Sequence, residues 1–171
     1  MNIESIVLRQ IQVKLKAPFE TSFGKTLERR VVLVEAISDG LSGWGEVTAG
    51  EGPFYNSETS DTSWLILEKF IVPLISAAKI SKPEDVPNVL RVIRGHGMAK
   101  AAVENALWDI EAQRRQIPLA KLLGGTRTEI NCGVSIGIQD SPVALVATVE
   151  RELVAGYQRI KIKIRPQKDL E

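Results

Sequence analysis

The chain has 171 residues, a formal net charge of +1, one cysteine and an apolar content of 44%. That size holds one sizeable core, or a small domain plus part of another; the balanced charge excludes the basic field of a nucleic-acid binder, and a single cysteine excludes an intrachain disulfide. No apolar run approaches the ~20 residues of a membrane span, and Met1-Asn2-Ile3-Glu4-Ser5 lacks the basic and apolar regions of a signal peptide, so the expected location is the cytoplasm, without a membrane partner.

Residues 3–15 read as a strand, with Ile11, Val13 and Leu15 alternating against Gln12, Lys14 and Lys16. Residues 17–26 read as a loop from their Pro, Gly and hydroxyl content. That loop holds Phe19 and Phe23. The two rings either plug the edge of a local core or form a lid that closes over a ligand. Residues 30–38 are a β-branched run, Asp39-Gly40 is a hairpin turn, and residues 41–47 return. The first third is therefore predicted to be an antiparallel meander. A second loop over 48–57 carries Phe54 and Tyr55 beside Gly50, Gly52 and Pro53. Glu46 and Glu51 near it are candidate ligands, or partners of a nearby Arg.

From Ser60 the period changes. Ser60 or Thr62 can cap a helix over 64–71, and Lys82-Pro83-Glu84-Asp85 starts a short one. The clearest helix is predicted over 98–113. Its stripe of Ala99, Ala102, Val103, Ala106, Leu107 and Ile110 is small enough for another element to approach closely. His96, the sole histidine, has no second histidine with which to build a zinc or charge-relay site, so it reads as structural. Gly124-Gly125 marks the boundary, giving domains 1–125 and 126–171.

Residues 129–138 read as a strand with Val134 and Ile136 on one face and Gly133, Ser135 and Gly137 on the other. Asp140 or Ser141 caps a helix over 143–155, with Pro142 at its first position and Gly156 as its stop. Tyr157-Gln158-Arg159-Ile160-Lys161-Ile162-Lys163-Ile164-Arg165 then alternates without a break. Lys161 and Lys163 fall on one face, roughly 7 Å apart. Strand, helix and strand with short connections make a right-handed βαβ unit with parallel strands. If this unit opens a closed barrel, the face bearing Ser135 and both lysines lines a concave anion site. If it does not, the lysines face water.

Several stretches occur in the order and spacing of a known family: Leu15-Lys16-Ala17-Pro18-Phe19-Glu20-Thr21-Ser22-Phe23-Gly24, Gly43-Trp44-Gly45-Glu46, Ala101-Ala102-Val103-Glu104-Asn105-Ala106-Leu107-Trp108-Asp109, Gly133-Val134-Ser135-Ile136-Gly137 and Lys161-Ile162-Lys163. Over essentially its whole length the chain resembles the enolase superfamily, muconate-lactonising subgroup, and most closely its o-succinylbenzoate synthase and N-acylamino acid racemase branch. The resemblance implies an α+β capping domain followed by the first strands of a (β/α) TIM-type barrel.

It also implies metal-assisted proton abstraction next to a carboxylate, followed by dehydration in menaquinone biosynthesis, or racemisation in the alternative. Lys163 would be the acid/base and Lys161 would hold the carboxylate. Ser135, Phe19, Phe23 and Tyr55 would bind the rest of a small carboxylate substrate. The cofactor would be a divalent metal, Mg²⁺, with no ligand assigned here because the family's metal carboxylates lie on later strands, beyond Glu171. A whole barrel needs ~200 residues and only about 45 follow Gly125. The chain is therefore expected to be a truncated front portion, inactive alone, and a homo-oligomer when full length. The competing expectation is a non-catalytic α+β module whose basic strand binds an anion.

Overall fold

The computed structural model describes residues 1–21, 24–164 and 166. It divides into two units: Met1–Val13 with Arg29–Thr126, and Lys14–Glu28 with Arg127–Glu171. Among the described residues no helix is long and apolar enough to cross a membrane.

The meander forms as anticipated. Strands β1 (Ile3–Thr21), β2 (Gly24–Ser38) and β3 (Leu41–Val47) make one sheet in the order β1-β2-β3. β2 and β3 pair antiparallel from Val32↔Val47 to Ser38↔Leu41. Asp39 and Gly40 both take positive φ, 52° and 73°, which a two-residue primed turn requires. Side chains alternate, so Val32, Val34 and Ala36 of β2 and Gly43, Gly45 and Val47 of β3 share the buried face.

Residues 17–26 correct the loop expected there. β1 runs on to Thr21 and β2 already begins at Gly24. Pro18 does not stop β1 because β1 is an edge strand, where a missing N–H need not cost a ladder bond.

The helical layer also departs from expectation at its start. Thr59, rather than Ser60 or Thr62, is the N-cap. Its hydroxyl accepts from the Thr62 amide at 3.1 Å, and its own amide donates to Thr62 Oγ1 at 2.9 Å. The helix is longer than the hydrophobic stripe suggested. It comprises α1 (Ser60–Ile66), a π turn (Leu67–Ile71) and α2 (Val72–Ala77). Pro73 explains the π turn: proline offers no N–H, and its ring crowds the carbonyl one turn back, so the backbone widens just ahead of it. Two 3₁₀ turns (Pro83–Asp85 and Leu90–Val92) flank α3 (Val86–Val89).

The central helix, α4 (Gly97–Arg115), buries the stripe read from sequence: Ala99, Ala102, Val103, Ala106, Leu107 and Ile110 are each at most 1% exposed. Their small side chains bring the helix backbone down onto β3. A Cβ on Gly43 would overlap the carbonyl oxygen of Ala106, and one on Gly45 would overlap that of Ala102. α4 also serves the outward edge of β3. Asp109 Oδ2 accepts from the Trp44 amide at 3.0 Å, and Gln113 Nε2 donates to the Ser42 carbonyl at 2.8 Å. At the other end of α4 the Glu58 carboxylate accepts from the amides of Met98 and Ala99 at 3.1 and 3.2 Å. This satisfies two of the donors that every helix start leaves open. α5 (Leu119–Leu122) closes the unit.

Glu111, on the last turn of α4, is 1% exposed. Burial alone would push its carboxyl up. Hydrogen bonds from Arg115 and Arg114, together with their charges, outweigh burial and hold it below its ordinary 4.5. A carboxylate so depressed stabilises the fold above the unfolded-state value, and that contribution is lost as pH falls through the lower, folded-state value.

Two outcomes follow from the packing. Gly45→Ala drives a methyl into the α4 backbone and should cost at least ~2 kcal/mol in chemical denaturation. Gly97→Ala meets only Glu58 Oε1 at 3.8 Å, so it should be neutral or slightly stabilising. Glu111→Gln should destabilise the protein by about 1–3 kcal/mol at neutral pH. It should also flatten the loss of stability on acidification below pH 4.5; an unchanged acid limb in pH-resolved denaturation would count against this role.

Candidate active site

The candidate site is built in the second unit. β4 (Gly133–Ile136) and β5 (Arg159–Ile162) are parallel, joined by α6 (Pro142–Val154). Ser141 caps α6 by accepting from the Ala144 amide at 3.1 Å, Pro142 occupies the first turn, and Gly156 leaves the helix at φ 95°. These are the start and stop signals expected from sequence. β4 is shorter than the expected 129–138, because a strand needs a partner and β5 spans only four residues opposite it.

The register is Gly133↔Arg159, Val134↔Ile160, Ser135↔Lys161 and Ile136↔Ile162. Paired residues of parallel strands project to the same side, with strands roughly 4.8 Å apart. Ser135 and Lys161 are thus direct cross-strand neighbours, both exposed, while Ile136 is 4% exposed. The Lys163 amide donates to the Ile136 carbonyl at 3.1 Å, so the pairing extends one step past β5. Lys163 therefore follows Lys161 on the same face, half-buried where Lys161 is exposed. Arg165, the last member of the alternating stretch, lies outside the described residues.

The far end of the β1–β2 hairpin belongs to the same unit. The Ile138 amide donates to the Glu20 carbonyl at 3.1 Å. This bond needs Gly137: a Cβ there would stand 3.2 Å from Glu20 O, 3.3 Å from Glu20 N and 3.7 Å from a ring carbon of Phe19. Phe19 thereby comes to rest half-buried against the end of β4. Gln139 fixes the turn beyond. Its amide donates to the Gly137 carbonyl at 2.9 Å, and its oxygen accepts from Thr148 of α6 at 3.4 Å. Phe23 lies outside the described residues. Tyr55 sits on the 48–57 loop of the first unit, 84% exposed beside Phe54 at 86%.

The structure therefore brings Ser135, Lys161, Lys163 and Phe19 onto one βαβ unit and its attached hairpin. It also shows two contributors that the sequence reading did not single out, Gln139 and the Glu20 main chain. No local pattern announces either one: the Glu20 carbonyl acts through one bond to a distant amide, and Gln139 ties its own turn to a hydroxyl of α6 nine residues on. Two shallow depressions, one along Pro142, Val143 and Val146 and the other beside Cys132 and Tyr157, are lined by none of the candidate residues. No three His, Cys, Asp or Glu side chains among the described residues cluster so as to hold a metal ion.

An α+β capping domain followed by the βαβ unit with which a (β/α) barrel begins defines the class. The mandelate racemase / muconate lactonizing enzyme N-terminal domain matches residues 3–124, and the chain belongs to that family, within the enolase superfamily. An o-succinylbenzoate synthase from Geobacillus stearothermophilus is 46% identical over all of this chain and 46% of its own length. An N-succinylamino acid racemase from Amycolatopsis is 38% identical over the same shares. Among solved structures, an enolase superfamily member from Listeria innocua superposes with a TM-score of 0.92 at 38% identity, covering 99% of this chain and 46% of that one. A mandelate racemase/muconate lactonizing relative from Roseovarius nubinhibens, complexed with magnesium, gives 0.83 at 27% identity, covering 98% and 45%. The chain spans about half the length of the curated relatives it matches.

Gly137→Ala should separate the hairpin end from β4. Faster hydrogen exchange at the Ile138 amide, with the α4 amides unchanged, is the expected result.

Proposed function

We propose that this chain supplies the front portion of an o-succinylbenzoate synthase-type lyase, divided as a capping domain over 1–125 and a barrel opening over 126–171. The observation that carries the reading is the register that sets Ser135 opposite Lys161, with Lys163 two residues further along the same face. A proton on a carbon next to a carboxylate is a weak acid. Its removal needs a positioned base and a second group that fixes the carboxylate. Lys163 is the base: its Nζ takes that proton and returns it to the departing hydroxyl, so water leaves and no net proton is consumed. Lys161 pairs with the carboxylate. Ser135, Phe19, Phe23 and Tyr55 contact the remainder of the substrate.

Magnesium is the cation we assign to the whole protein. The described residues of this chain offer it no ligand set, so no step is assigned to it here. The whole protein would act in the cytoplasm, in menaquinone biosynthesis, as a homo-oligomer. The racemase of N-acylamino acids is the second reading, favoured by the 38% identity to an N-succinylamino acid racemase. In it Lys163 keeps the proton it took, a second acid on the opposite face of the substrate gives a proton to the same carbon, and no hydroxide leaves.

Lys163→Ala in the whole protein decides the matter. Both o-succinylbenzoate formation and α-proton exchange of an N-succinylamino acid in D₂O should fall by at least ~10³-fold, as expected when a positioned base is removed. Lys161→Ala should chiefly raise KM. Activity within a few-fold of the parent in Lys163→Ala would eliminate the lysine as base. Which substrate the parent turns over faster separates lyase from racemase.

A further inference from the structure

Gln139 is held from two sides, and the reaction proposed above uses neither contact. Its side-chain amide donates to the Gly137 carbonyl at 2.9 Å, and its oxygen accepts from the Thr148 hydroxyl at 3.4 Å. Thr148 sits on α6, a helix already fixed at its start by Ser141. The peptide that Gln139 holds is the one between Gly137 and Ile138. Its amide is claimed as well, by the Glu20 carbonyl at 3.1 Å. The two groups point opposite ways across a trans peptide, so the plane cannot turn without breaking a bond. A restraint matters at this place. Gly137 has the widest backbone freedom of any residue type, and it follows directly on Ile136, the last residue of β4. The preceding peptide carries the Ile136 carbonyl, which accepts from the Lys163 amide at 3.1 Å. β5 ends at Ile162, and this bond carries the pairing one step beyond it. The main chain of Lys163 is thus tied to the strand end that Gln139 restrains.

We infer that Gln139 is a positioning residue for Lys163. Braced by Thr148, it keeps the peptide after Gly137 from turning. The Ile136 carbonyl then stays aimed at the Lys163 amide, and the lysine's flexible stem starts from a fixed point. The inference rests on the reading of Lys163 as the base, and it adds a residue that touches no reacting atom. A group misplaced by ~1 Å costs on the order of 10²-fold in rate, so a loosened strand end is read in kcat.

The test uses Gln139→Leu, Thr148→Val and Thr148→Ser in the whole protein, beside Lys163→Ala, with o-succinylbenzoate formation and N-succinylamino acid racemisation as the assays. Gln139→Leu removes donor and acceptor at similar volume. Its kcat should fall roughly tenfold or more while KM stays within about threefold, as when the base is misplaced and substrate binding is intact. The Lys163 amide should exchange faster while the amides of α4 and of residues 145–154 do not change, which a general loss of stability would not produce. Thr148→Val should show the same split more weakly, and Thr148→Ser, which restores the hydroxyl, should recover it. Thr148→Val stands in if Gln139→Leu does not fold. With Lys163→Ala inactive, an unchanged kcat in Gln139→Leu or in the variant standing in for it, or unchanged exchange at the Lys163 amide, overturns the role of Gln139. A parent inactive in both assays, or an active Lys163→Ala, overturns instead the reaction assignment, and the role of Gln139 falls with it.

Discussion

The first unit depends on one contact: the backbone of α4 lying directly on β3. Gly43 and Gly45 on the strand, with Ala102 and Ala106 on the helix, leave no room for any side chain between the two backbones. Every other feature of the layer follows from that distance. Val32, Val34 and Ala36 are sealed because the helix is so low, and Val103, Leu107 and Ile110 reach past the strand into the same core. The side chains of Asp109 and Gln113 are then near enough to bond the outward backbone groups of Trp44 and Ser42. The stretches Gly43-Trp44-Gly45-Glu46 and Leu107-Trp108-Asp109 are thus two halves of one packing solution. Trp44 itself points the other way, where the Arg9 guanidinium stacks 5.6 Å from its ring centre.

In the second unit, position is set by main chain more than by side chain. A four-residue parallel ladder fixes which residues are neighbours. One amide-to-carbonyl bond, Ile138 to Glu20, fixes where the hairpin ends. The side chains proposed for chemistry, Lys161 and Lys163, inherit their placement from this framework. A lysine has a long flexible stem, so the backbone must first aim it correctly.

Much of this was legible in the residues. The Asp39-Gly40 turn, the small-residue stripe of α4, the Ser141-Pro142 helix start and the Gly156 stop each rest on local rules, and local rules are what one sequence carries. What escaped depended on partners far along the chain. β1 outran its expected end because edge position excuses Pro18. β4 stopped short because β5 offers only four residues to pair with. Thr59 took the cap in preference to Ser60 and Thr62 because it and Thr62 satisfy each other's groups, which several hydroxyls in a row do not disclose. That Glu51 pairs with an Arg was legible; that the Arg is Arg30, 21 positions away, with Asp61 as its second acid, was not. The lysine pair was visible from its alternation. That Ser135 would stand directly beside Lys161 required the register, which composition does not specify.

The service that α4 renders to β3 has a consequence for behaviour in concentrated solution. A sheet recruits foreign strands through whichever border leaves amides and carbonyls unclaimed. On the β3 border, Trp44 and Ser42 are already engaged by their own helix. The opposite border belongs to β1, where Pro18 removes a donor and the Glu20 carbonyl is taken by Ile138. Templated growth from the β3 border is therefore obstructed by the molecule's own groups, as it is at the far end of β1. Loss of Asp109 or Gln113 would be felt first as a tendency to self-associate, before any loss of folding.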